Sequence, residues 1–99
     1  MLQGMVRTNK GGDDASDLKV NVANAQIIYI GQPNFGTVRG FIVQNCQFGQ
    51  LLAVRNELNY SIRFQYSLNP SNFVTIPAFG GATGVCESSS DVIVTGVAP

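Results

Sequence analysis

The sequence predicts an all-β domain, an antiparallel β-sandwich of the jelly-roll or Ig-like kind, built from 7–8 short strands with an extended N-terminal arm. Three observations lead there. Short apolar or alternating runs recur about every ten residues from Leu18 onward. Gly and Pro fall between those runs rather than within them. No window carries a 3.6-residue apolar period with caps over three turns. With 99 residues and no linker, the chain divides only into an arm, residues 1–17, and one sandwich domain, residues 18–99.

The arm contains "RTNKGGDDASD" (Arg7 to Asp17), which is polar and follows neither period. Asp13, Asp14 and Asp17 could suggest a calcium loop. Their spacing is not that of an EF-hand and no Glu follows at the required distance, so a solvated loop is the better reading. A short helical turn near "DDASDL" is the only place that could hold one. Met1, Leu2 and Met5 are expected to bury against a neighbouring molecule, and loss of residues 1–17 should weaken that attachment and leave the fold intact.

The first strand of the sandwich is "LKVNV", which alternates, and the second is "AQIIYI", apolar on both faces. "GQPNFG" turns the chain into "TVRGFIVQ", where Gly40 suggests a bulge or close approach. "QFGQ" interrupts, "LLAVR" follows, and "NELN" leads into a row whose even positions are apolar: Tyr60, Ile62, Phe64, Tyr66 and Leu68. "FVTIPAF" returns, "GGATG" reads as a connection, and "VIVTGV" closes the chain after "VCESSSD". No internal repeat is visible.

Alternation puts the even row inward and Arg63 and Gln65 outward. A three-residue loop, Pro70 to Asn72, would place Leu68 opposite Val74 and Tyr66 opposite Ile76. Asn72 would then take the left-handed position. A one-residue slip would expose Val74 and Ile76, at about 1.5–3 kcal/mol each. In this register Phe73 lies on the outer face, and it joins Arg63 and Gln65 as a candidate contact residue.

Composition narrows the function classes. Six Lys+Arg against six Asp+Glu give zero net charge, and charged residues are 12% of the chain, about half the usual share. A chain with so little self-repulsion suits a subunit covered by neighbours, and no basic stripe exists for nucleic acid. His is absent, which removes the commonest general base and metal ligand. Glu57 and Glu87 have no spacing that makes them converge, and "GGATG" lacks the Lys of a phosphate loop, so no enzyme, cofactor or metal site is expected. Cys46 and Cys86 fit no zinc pattern, and two buried free thiols are favoured over a bridge. No apolar run is long enough for a membrane span and no signal peptide is visible, so synthesis in a cytoplasm is the default expectation. "IIYI", "GFIV", "LLAV" and "VIV" are apolar on both faces, which in so small a domain predicts subunit contacts.

Over roughly Thr37 to Val97, "GFIVQN", "IRFQYSLNPSNFVTIPA" and "VIVTGV" resemble the small β-sandwich decoration, or cement, proteins on the heads of tailed bacteriophages. The resemblance implies a non-enzymatic virion protein on the capsid surface. Such a subunit clusters with itself, as a trimer by preference, and bridges neighbouring copies of a major capsid protein. The residues leave two alternatives open: a carbohydrate- or cell-surface-binding sandwich module, and a tail or baseplate component.

Overall fold

The computed structural model describes residues 4–8, 18–23, 25–31 and 39–99; for residues 4–8 and 18 it describes the backbone. The described residues are all-β, without a helix, and form two sheets. In chain order the strands are β1 (Gly4–Thr8), β2 (Leu18–Asn21), β3 (Ala25–Ile30), β4 (Gly40–Gln44), β5 (Leu51–Asn56), β6 (Ile62–Gln65), β7 (Phe73–Ile76), β8 (Gly81–Cys86) and β9 (Val92–Ala98). One sheet has the order β1-β3-β5-β8-β9 and the other β2-β4-β6-β7.

The connectivity corrects the antiparallel expectation. The pairs β1–β3, β3–β5, β2–β4 and β4–β6 are parallel, and only β5–β8, β6–β7 and β8–β9 are antiparallel. Each connection in the first two thirds carries the chain across to the opposite sheet instead of back along the same one. The backbone therefore winds as a flattened coil, one strand per sheet per turn, and closes with antiparallel strands. Leu18, Phe41 and Phe64, spaced by 23 positions, occupy one rung across β2, β4 and β6. In the other sheet Val6, Ile28, Val54 and Ala82 share a rung, at the less regular intervals of 22, 26 and 28. The residues of each rung are alike in being apolar, but their flanking sequences differ, so the repeat is structural and leaves no longer repeated motif.

The core lies between the sheets. Val20, Phe41, Val43, Ile62, Phe64 and Ile76 face Ile28, Ile30, Leu52, Val54, Ala82 and Val92, and all are buried. Phe41 and Phe64 stack with ring centroids 4.7 Å apart, the spacing parallel neighbours impose. β3 and β4 are nearly continuous apolar runs: β4 is buried from Gly40 to Val43, whereas Ile27 and Tyr29 of β3 are half-buried.

Polar side chains fix the corners. Asn56 is fully buried. Its amide donates to the carbonyls of Tyr60 (2.9 Å), Pro77 (3.0 Å) and, longer, Ile76 (3.4 Å), while its Oδ1 accepts from Leu58 N (2.9 Å). At the opposite end the Gln50 amide donates to the carbonyls of Val22 (2.8 Å) and Ala25 (2.6 Å), tying one corner to the next.

Four further expectations are corrected. Gly4–Thr8, placed in the arm, form a strand at the edge of the five-stranded sheet, whereas the aspartates 13, 14 and 17 and the helical turn lie outside the described residues, except that Leu18 begins β2. Gly81 to Gly84 belong to β8 and not to a connection. A Cβ on Gly84 would come within 2.6 Å of Val92 Cγ1 and 2.8 Å of Ile93 O, so the glycine permits a close approach to β9. Cys46 and Cys86 are bridged, with Cα atoms 5.9 Å apart, joining the corner after β4 to the end of β8 and thus one sheet to the other.

The hairpin register also shifts. Phe64 pairs with Val74 and Ile62 with Ile76, so every predicted partner is displaced, although the inward face is the predicted one. The loop is longer because Asn69 and Ser67 give it its own hydrogen bonds: Asn69 Oδ1 accepts from Ser71 N, Ser67 Oγ from Asn69 N and Asn72 Nδ2, and Asn69 O from Asn72 N. Leu68 is thereby exposed, and Asn72 does not take a positive φ.

Candidate interaction surface

Two sheet faces point away from the core. On the outer face of the four-stranded sheet, Lys19, Ile42, Gln65 and Phe73 share one rung across β2, β4, β6 and β7. Phe73 is outward as predicted and 36% exposed. The Arg63 guanidinium lies 4.7 Å from its ring centroid, a cation–π contact that covers part of the ring. Gln65 faces the same side but is buried, its amide donating to Ser67 O (2.8 Å). The structure thus gathers Phe73, Arg63 and Gln65 on one face. Of the other candidates, Met5 lies on β1 in the opposite sheet, and Met1 and Leu2 fall outside the described residues.

The outer face of the five-stranded sheet is more apolar. The register places Leu51, Val85 and Ile93 side by side across β5, β8 and β9. Leu51 is 59% and Ile93 50% exposed, so the row stands out as a ridge. One step along the strands, the row is small: Ala53 pairs with Thr83, whose hydroxyl lies 2.8 Å from that of Thr95, an extra residue where β9 bulges. This second row is the floor of an open trough of about 360 Å³ bordered by Ile27 and the ridge. A step further, Arg55 pairs with Gly81. On the other side of the ridge, alternation carries the outer face to Glu87 and Asp91, which are joined by Glu87 N donating to Asp91 O (2.7 Å).

The ridge was present in the sequence as "LLAV" and "VIV", apolar on both faces. What could not be read was that these runs stand next to one another, because β5 and β9 are separated by β8 in space and by three strands in sequence. Phe48 and Leu68, both highly exposed on loops at one end of the molecule, were likewise not singled out.

The two acids weighed as a catalytic pair are not brought together. Glu57 follows β5 and Glu87 follows β8; those strands run antiparallel, so the two acids stand at opposite ends of the sheet. Among the described residues no three His, Cys, Asp or Glu are grouped to hold a metal ion. No protein-family model, curated protein or solved structure matches this chain.

Proposed function

We propose that the chain is a structural subunit of a larger assembly, of the capsid-decoration (cement) kind found on tailed bacteriophage heads. The observation that carries this reading is the exposed ridge of Leu51, Val85 and Ile93 on a sheet face, in a chain where only 12% of residues are charged. Burying such a row against protein is favourable by about 25 cal/mol per Å² of apolar surface. The subunit works by contact: it sits on a capsid protein and on its own copies and has no reaction to perform. The Cys46–Cys86 bridge accords with a position on a particle surface, where disulfides persist.

The test is to purify phage particles from a host producing this chain and to count its copies by quantitative mass spectrometry. Many copies per particle, removable without loss of the shell, are the expected result. Absence from purified particles, or presence only in tails, would overturn the head assignment. The rival, a carbohydrate-binding module, draws on Phe48 standing among the Ser- and Asn-rich loops at one end. Glycan-array binding by the isolated chain, lost in Phe48→Ala, would put that reading in its place.

A further inference from the structure

The outer face of the five-stranded sheet is ordered along its strands. Acidic Glu87 and Asp91 come first, then the ridge of Leu51, Val85 and Ile93, then the small row of Ala53, Thr83 and Thr95, and last basic Arg55 beside Gly81. This order is complementary to its own reverse. Turning a second copy about a two-fold axis that lies between the faces, along the boundary of ridge and trough, lays its strands antiparallel over the first. Ridge then falls on trough, and Arg55 falls over the end that carries Glu87.

We propose that this face binds a second copy of the same chain, two five-stranded sheets packing face to face with each Leu51–Val85–Ile93 ridge seated in the other's Ala53–Thr83–Thr95 trough. The inference rests on the structural-subunit reading and names the partner of its apolar face. Two features single out a second copy as the occupant. A ridge and a trough of the same length lie one step apart on the same three strands, so an isologous contact fills both at once. The charges that flank them in register are Arg55 at one end and Glu87 and Asp91 at the other, with Glu57 beyond Arg55 where the chain leaves β5, so the two-fold operation brings Arg55 toward Glu87 twice, whereas a parallel superposition would set Arg55 over Arg55. Two sheets in aligned packing sit about 10 Å apart, a separation that interdigitating side chains such as Leu51 and Ile93 fill. The product is a two-fold pair in place of the trimer that the resemblance implies. Its outward surfaces are the four-stranded sheets carrying Phe73 and Arg63.

The test is the solution mass of the full 99-residue chain by light scattering and sedimentation across a concentration series. The expected species is a dimer of about 21 kDa, twice the 10.6 kDa chain. Ala53→Leu fills the trough with apolar bulk at an exposed position. It is expected to weaken the pair at least tenfold, whereas a merely sticky patch would associate more strongly. Arg55→Glu is expected to give monomer, as is Glu87→Arg, and the two together to restore the dimer. Circular dichroism and thermal melting confirm that each variant is folded. A monomeric or trimeric native chain, a dimer unaffected by Ala53→Leu, or a charge swap that fails to restore association would each overturn the proposal. A monomer that still occupies purified particles would overturn the pairing alone and leave the structural-subunit reading standing.

Discussion

At the scale of single residues, Asn56 shows how a polar side chain earns a place in the core. It occupies a rung next to Ile30 of the preceding turn, where an apolar residue would be the simple choice. It instead holds the Glu57–Ser61 and Pro77–Gly80 connections through four hydrogen bonds. Asn56→Leu keeps the volume and removes every one of those bonds, leaving buried carbonyls without a donor. The expected loss is about 3 kcal/mol, read as a lower urea midpoint with an unchanged slope. Its polarity made Asn56 look like an ordinary turn residue in "NELN", since nothing local shows that the turn is covered by Pro77 and Ile76. Phe73 was legible for the opposite reason: the parity of a strand fixes its face even where the register is wrong.

Among the elements, β8 was the hardest to recognise. Its four leading residues, "GATG", have weak strand propensity, and they form a strand because β5 and β9 supply ladders on both sides. Within β8, Gly84 is where the packing is tightest. Gly84→Ala should destabilise by about 1–3 kcal/mol, since the new Cβ meets Ile93 O as well as the movable Val92 side chain. A lowered melting temperature checks this, and an unchanged one would mean that β9 moves aside freely. The Cys46–Cys86 bridge closes a loop of sequence separation 40 and staples the ends of β4 and β8. Chain-entropy arguments give about 4 kcal/mol for such a loop, so reduced protein, or Cys46→Ala with Cys86→Ala, should unfold at a correspondingly lower urea concentration. The thiol expectation failed because it was an argument from compartment, and spacing alone does not bring residues from two sheets together.

At the scale of the whole molecule, the wound topology changes what the N-terminal residues do. Gly4–Thr8 pair in parallel with β3, so removing residues 1–17 strips one edge of the five-stranded sheet and exposes the backbone groups of β3. The truncated chain is therefore expected to lose thermal stability and to aggregate with rising concentration, in addition to attaching less well to particles. A truncation with the melting temperature of the full chain would show that β1 contributes only to attachment. Non-local parallel pairing also predicts slow folding, because each rung closes a loop of more than twenty residues before any contact repays it.

The sequence by itself determined that the chain is built of strands, most of the strand-bearing segments, the face that the alternating β6 row buries and the scarcity of charge, since all of these follow from local periodicity and composition. Tertiary structure alone decided that successive strands alternate between sheets, that β5, β8 and β9 set Leu51, Val85 and Ile93 in one row, and that Cys46 meets Cys86. The physical reason is that a strand's pattern specifies one face to be covered but not which strand lies beside it. Parallel and antiparallel neighbours satisfy the same alternation, and only the packing of both sheets around one core chooses between them.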